Sequence, residues 1–207
     1  MINPNQILYR GDSDYNRERD LRGLLHQGLL KTNLVNGGDG REVFERPLID
    51  SIRFHVSDNW KKTHFLSFTE DINTAFNFGK GIRNIGMEFE AYYEDDDDWH
   101  FAILTLDIQN LSNINELSDG VYSAYFIPVF KDFLPKYDLI IIDVVKALSH
   151  LPITNSEEQV SLYNAGRDKE WLIFPASVKN FGRNMMQFRG LLDCALFSDI
   201  SKYLIIS

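Results

Sequence analysis

Two polar stretches in the first half of the sequence carry side chains suited to a polyanionic ligand. Arg10 ends an apolar run and precedes Gly11, so a planar guanidinium that suits phosphate stands beside a residue that permits close approach to the backbone. Ser67 and Thr69 follow an apolar pair and come directly before a helical pattern. Hydroxyl groups beside the free backbone N–H groups of a helix N-terminus form an arrangement that suits an anion.

A third stretch, in the second half of the chain, carries two acids. Asp168 and Glu170 come directly before an apolar run that begins at Trp171. In a strand that begins this early, residues two apart point to one side, and two carboxylates on one face suit acid/base chemistry. Each polar residue also has an ordinary structural interpretation: a surface ion pair for the arginine, helix capping for the hydroxyls, and a solvated strand start for the acids.

The elements that must position these residues are predicted from hydrophobic periodicity and from turn residues. Helices are predicted at 16–30, 47–56 and 72–78, and loops at 11–13, 33–45, 94–98 and 152–166. Strands are predicted at 7–10, just before Ser67, and at 85–93, 101–108, 139–145, 171–174 and 203–206. The strand at 139–145 is expected to be central because it is apolar on both faces. Six to eight short strands, with helices mainly in the N-terminal half, indicate an α+β fold with a split or two-sheet core.

Length, composition and charge restrict the class of protein. A chain of 207 residues with 44% hydrophobic and 25% charged residues is expected to form one compact domain. The net charge of −9 disfavours broad electrostatic binding to nucleic acid or anionic lipid. Every apolar run is far shorter than the roughly 20 residues that span a bilayer, so no membrane partner is expected.

Cysteine and histidine usage bears on compartment and metal binding. The single cysteine, Cys194, has no internal disulfide partner, and the N-terminus lacks a signal pattern, so we expect a cytoplasmic protein of the producing or target cell. The five histidines have no metal-ligand spacing, and one cysteine does not build a zinc site. We therefore expect no metal and interpret the histidines as structural residues, with a position lining the pocket as the alternative for His64.

In this order, the three polar stretches resemble the ADP-ribosyltransferase superfamily, in the Arg/Ser/Glu clade of the cholera-toxin type. The family's arginine on the first core strand corresponds to Arg10 in Leu-Tyr-Arg-Gly, and its Ser-Thr-Ser motif to Ser67-Phe68-Thr69. Its catalytic glutamate corresponds to Glu170, which enters the run Trp-Leu-Ile-Phe-Pro. The resemblance covers nearly the whole chain. It implies a single ADP-ribosyltransferase-like domain, 1–207, with a split two-sheet core.

The resemblance also implies a role for each residue, with NAD as co-substrate and no metal. Glu170 would stabilise the oxocarbenium character of the ribose, and Ser67 would hold that ribose. The residues that would contact NAD are Arg10 and Gly11 at the phosphates, Ser67 and Thr69 at the strand end, and Phe78 and Arg83 in the nicotinamide loop. Asp168 would accept a proton from the incoming nucleophile or orient it. An aspartate two residues before the glutamate leaves the acceptor class open.

The expected function is NAD-dependent mono-ADP-ribosyl transfer to a macromolecular acceptor, in a bacterial or phage toxin or effector. The acceptor is a protein side chain or a nucleic-acid base, and an antitoxin or inhibitor protein would be a further partner. Two alternatives stay open: an NAD glycohydrolase, in which water replaces the acceptor, and a catalytically silent module that keeps this fold for partner binding.

Overall fold

The computed structural model describes the chain in segments. These are residues 2–13, 29–31, 42–43, 48–59, 65–79, 82–85, 88–91, 101–126, 137–175, 187–188, 191–193 and 198–199. Their helices are α1 (Leu48–Phe54), a π-helix that continues it (His55–Asn59), α2 (Ile72–Gly79), a 3-10 turn (Ile108–Asn110), α3 (Val144–Leu148) and α4 (Ser156–Arg167). Seven strands of the main sheet are β1 (Ile7–Ser13), β4 (Leu66–Thr69), β7 (Phe101–Asp107), β8 (Ser112–Ser118), β9 (Val121–Phe126), β10 (Tyr137–Asp143) and β11 (Glu170–Pro175). The other described strands have two to four residues: β2 (Leu29–Lys31), β3 (Glu42–Val43), β5 (Ile82–Ile85), β6 (Glu88–Ala91), β12 (Gln187–Phe188), β13 (Leu191–Asp193) and β14 (Ser198–Asp199).

The main strands form one antiparallel sheet. Its order is β14-β7-β1-β4-β11-β10-β9-β8, and three two-stranded ribbons, β12-β3, β13-β2 and β5-β6, lie beside it among the described residues. A mixed fold of helices with an antiparallel sheet is therefore confirmed. The split into two main sheets is not confirmed, because the described long strands all hydrogen-bond into a single sheet.

The sheet buries apolar side chains on both faces. One cluster includes Leu139 and Ile141, and the other includes Ile140 and Ile142, as the alternation of a strand requires. All four side chains are fully buried, which confirms the prediction that β10 is a central strand. Helices α1, α3 and α4 contribute residues to the second cluster, and we call its side of the sheet the helix-covered face. We call the first cluster, which lies on the opposite face, the Leu8 cluster.

Three local predictions were wrong. The predicted turn at 11–13 belongs to β1, which pairs with β7 along its whole length from Ile7 to Ser13. Among the described residues, helices do not lie mainly in the N-terminal half, because α3 and α4, the longest described helix, are in the C-terminal half. The predicted loop at 152–166 contains that helix.

Helix α4 begins with a reciprocal cap. Asn155 Oδ1 accepts a hydrogen bond from the Glu158 backbone N–H at 2.8 Å, and Glu158 Oε2 accepts from the Thr154 N–H at 2.7 Å. This arrangement is a capping box shifted by one residue, and it satisfies backbone donors that a loop would leave to water.

Several predictions lie outside the described residues. They are most of the helix at 16–30 and of the loop at 33–45, the acidic run at 94–98 and the strand at 203–206. In the segments that the structure does describe, no helix has the length and apolar character required to cross a bilayer.

Candidate functional site

The three motif strands are neighbours in the sheet. β4 lies between β1 and β11, and its last residue, Thr69, is directly opposite Tyr9 on one side and Glu170 on the other. Ser67 is opposite Leu172 of β11. Sequence segments separated by about half the chain therefore meet at the centre of the sheet, and this is where the predicted catalytic residues lie.

Ser67 and Glu170 converge on a histidine. The Nε2 atom of His55 lies 2.9 Å from Ser67 Oγ and 3.6 Å from Glu170 Oε1. The His55 side chain is 3% exposed and that of Glu170 is 18% exposed, so the carboxylate reaches solvent while the imidazole does not. We call Ser67, Glu170 and His55 the trio: the fold brings two predicted site residues to one histidine that was not predicted.

His55 is held from two directions. It is the first residue of the π-helix, where the wider turn changes the angular position of the following side chains relative to α1. Its ring meets that of Phe65 edge-on, with centroids 5.5 Å apart and planes at 87°. Short π-helical turns occur often at functional sites. The imidazole is thus fixed by packing as well as by its contact with Ser67.

The trio differs from a hydrolase triad. In a Ser-His-Asp triad the carboxylate holds Nδ1 and the serine faces Nε2, so the two groups use different nitrogens. Here both oxygens lie near Nε2 of His55. A single nitrogen does not take the serine proton while it also donates to the carboxylate, so this geometry does not favour a serine nucleophile.

Arg10 is buried, with 8% of its surface exposed, and its Nη1 donates to the backbone carbonyl of Ser67 at 2.9 Å. The Arg10 side chain is on the same face of β1 as that of Leu8, which belongs to the Leu8 cluster. The Ser67 hydroxyl instead contacts His55 on the helix-covered face. Arg10 therefore links β1 to β4 at the site through its hydrogen bond to the Ser67 carbonyl. Its side chain lies on the face of the sheet opposite to the Ser67 hydroxyl.

The expectation that Asp168 and Glu170 share one strand face was wrong. Strand β11 begins at Glu170, and Asp168 is the C-cap of α4, followed by Lys169 with a φ of 46°. The left-handed residue reverses the chain between helix and strand. The Asp168 carboxylate is instead held by Arg167, whose Nε and Nη2 donate at 2.7 and 2.9 Å.

Thr69 connects these segments. Its Oγ1 donates to the Asp168 carbonyl at 2.6 Å and accepts from the Asp71 N–H at 3.0 Å. The hydroxyl thus stabilises the turn before α2. The helix itself is capped by Asp71, whose Oδ1 accepts from the Asn73 N–H at 2.9 Å. Contact of Thr69 with NAD stays a prediction.

The remaining predicted contacts lie on or near α2. Phe78 is 51% exposed on that helix, as a stacking residue would need to be. Arg83 is on β5, and its side chain is outside what the structure describes. Gly11 packs directly beneath α2, so the close approach that it permits is to the protein's own backbone.

Among the described side chains, no group of three or more His, Cys, Asp or Glu is arranged to hold a metal ion. Comparisons with protein-family models, with curated proteins and with solved structures find no match.

The sequence reasoning missed His55. No local pattern marked it, because its partners are 12 and 115 residues away along the chain. One weak signal was present in the sequence. His55 is a polar residue at the end of a helical stretch whose apolar side chains are expected to pack on the sheet, so its imidazole would be buried there and would need a hydrogen-bond partner.

Proposed function

We propose that the protein is an NAD-dependent mono-ADP-ribosyltransferase. One observation carries the proposal: Ser67 Oγ of β4 and the Glu170 carboxylate of the adjacent strand β11 converge on one buried imidazole. A partly exposed carboxylate with a fixed hydroxyl next to it suits a sugar that gains positive charge as its glycosidic bond breaks.

The reaction needs few groups from the protein. The bond between the ribose C1′ and the nicotinamide nitrogen breaks, and its electron pair leaves with nicotinamide. Glu170 would accept a hydrogen bond from a ribose hydroxyl and stabilise the oxocarbenium character at C1′, while Ser67 would hold the same ribose. A lone pair of the acceptor then bonds to C1′, and the proton of that nucleophile passes to Asp168 or to water.

Phe78 would bind the nicotinamide ring, while contact of Arg10 with the pyrophosphate stays a prediction, because in this structure its guanidinium lies on the opposite face of the sheet and donates to the Ser67 carbonyl. A guanidinium suits a pyrophosphate because its planar donors match two oxygens, and an exposed aromatic ring suits stacking on nicotinamide. An ADP-ribosyltransferase-like split core belongs to the same proposal. The single described sheet would correspond to its two halves if they were continuous across β4 and β11.

The direct test uses NAD labelled in its ADP-ribose part, incubated with the full chain and a cell lysate. We expect release of nicotinamide and transfer of label to a macromolecular fraction. Glu170→Gln should lower nicotinamide release by about 100-fold or more, since it removes the negative charge and keeps the shape. Glu116→Gln, on the edge strand β8, is the matched control and should retain activity.

Full activity of Glu170→Gln, or no nicotinamide release by the wild-type protein with any lysate, would overturn the proposal. Nicotinamide release without label transfer would identify an NAD glycohydrolase instead. Protein and nucleic-acid fractions of the labelled lysate then identify the acceptor class.

A further inference from the structure

His55 is a buried polar group that contacts Ser67 and Glu170 of the site and packs against Phe65. Phe65 belongs to the apolar cluster of the helix-covered face and is 1% exposed. An imidazole in such surroundings is costly unless it is hydrogen-bonded. The contact at 2.9 Å with Ser67 Oγ meets that need, and it places the ring 3.6 Å from the Glu170 carboxylate.

The carboxylate determines which tautomer suits this geometry. A bare Nε2 lone pair would face the negative oxygen of Glu170 and be repelled by it, whereas an Nε2–H dipole is attracted to both oxygens. The geometry therefore favours the Nε2–H form, which would donate to Ser67 Oγ. The Ser67 hydroxyl proton is then directed away from His55, toward the carboxylate or a bound sugar.

We propose that His55 is a positioning residue for the ADP-ribosyl transfer proposed above: through Nε2–H it fixes the Ser67 hydroxyl and the Glu170 carboxylate in the geometry that the ribose requires. The inference rests on that proposed function for its kinetic consequence. The contact itself does not depend on it.

The positioning role differs from a packing role in what each substitution should do. His55→Phe keeps the ring and its packing on Phe65 but removes the donor. His55→Gln loses the ring but places an N–H donor at a similar distance from the backbone. If the donor is what matters, Gln rescues and Phe does not; if the ring is what matters, the order is reversed.

The kinetic experiment measures nicotinamide release and thermal unfolding for both variants. We expect His55→Phe to lower kcat by about 10- to 100-fold, because small misplacement of reacting groups has effects of this size, with KM for NAD unchanged. His55→Gln should recover most of kcat. His150→Gln, whose side chain is 67% exposed, is the matched control and should leave kcat unchanged. Wild-type kcat in His55→Phe, or a change confined to KM, would overturn the inference.

A second measurement does not require activity. In protein labelled with ¹⁵N-histidine, the ring signals lost in His55→Gln belong to His55. Ser67→Ala and Glu170→Gln should each shift those signals, and Glu116→Gln should not. If neither variant shifts them, the positioning contact is wrong. If they shift and the wild-type protein releases no nicotinamide, the contact stands and the proposed function fails.

Discussion

Gly11 lies in contact with the backbone of Ala75. A β-carbon at position 11 would be 1.7 Å from the Ala75 carbonyl oxygen and 2.5 Å from the Gly79 backbone nitrogen. Helix α2 therefore lies against β1 at a distance that only glycine allows. This packing fixes the position of the helix that follows the Ser67 strand.

Gly11→Ala is expected to destabilise the protein by about 3 kcal/mol or more, because backbone atoms, unlike side chains, do not move aside cheaply. Urea unfolding measures the change. Gly166→Ala is the matched control. Its β-carbon would meet only Val145 Cγ2 at 3.9 Å, and alanine in a helix is favoured over glycine by up to about 1 kcal/mol. Equal stability of Gly11→Ala and the wild type would contradict the packing.

A second prediction concerns the indole of Trp171, which is 4% exposed. Its Nε1 donates to Glu70 Oε1 at 2.8 Å, and Gln6 Nε2 donates to the same oxygen at 2.7 Å. Glu70→Ala leaves the buried N–H without this acceptor and should cost about 1–3 kcal/mol in the free energy of unfolding. Glu70→Gln keeps an oxygen acceptor and should cost less.

A double-mutant cycle isolates this hydrogen bond. In a Trp171→Phe background there is no indole N–H, so Glu70→Ala should have a much smaller effect. The same cost in both backgrounds would show that Glu70 stabilises the fold through other contacts.

The third prediction concerns Asp143, the N-cap of α3, whose Oδ1 accepts from the Lys146 N–H at 2.9 Å. Burial raises the pKa of this carboxyl above its ordinary value of 3.8. Between the unfolded and folded pKa values the folded protein binds more protons, so the free energy of unfolding falls as pH rises through that window. Asn keeps the capping oxygen and does not titrate.

The stability of Asp143→Asn relative to the wild type should therefore increase as pH rises from below 3.8 toward neutrality. Urea midpoints at several pH values measure this. Asp119→Asn, with a side chain 68% exposed, gives the effect of removing one negative charge from the surface. A difference between Asp143→Asn and the wild type that does not vary with pH would contradict the prediction.

Strands β7, β10 and β11 and helix α2 were predictable because their sequence signals are local, whereas β8 and β9 lie in a stretch where no strand was predicted. The runs at β7, β10 and β11 are apolar and of strand length, and α2 ends at Gly79. Helix α4 was not predictable from its apolar residues, because its pattern is nearly inverted. Its buried positions include the small residues Ser161 and Ala165, while Val160 and Tyr163 are 57% and 70% exposed. The Asn155 cap was the better signal.

The residues of the site also differ in how far the sequence predicts them. Ser67 and Glu170 were recognised because each adjoins a short apolar run in the sequence. His55 was not, because its proximity to them depends on how α1 and the π-helix pack across the sheet. Nothing in the residues around position 55 encodes that crossing. The placement of Asp168 failed for a related reason, since it required knowing that a helix, rather than a loop, leads into β11.

The last prediction tests whether Asp168 acts as a base toward the acceptor. In the structure its carboxylate is held by Arg167, and these hydrogen bonds raise the pKa of Arg167. To take a proton from the acceptor, the carboxylate must give up part of this pairing. A base role predicts that Asp168→Asn lowers ADP-ribose transfer by about 100-fold or more, while nicotinamide release to water continues.

Arg167→Ala separates the base from its partner. It removes the same ion pair but leaves the carboxylate free, so transfer should be retained. If the pair matters only because it stabilises the C-terminal end of α4, the two variants should lose transfer to the same extent. Label transfer and nicotinamide release, measured side by side for both variants, decide between these outcomes, because only a base makes the loss specific to Asp168 and to the acceptor step.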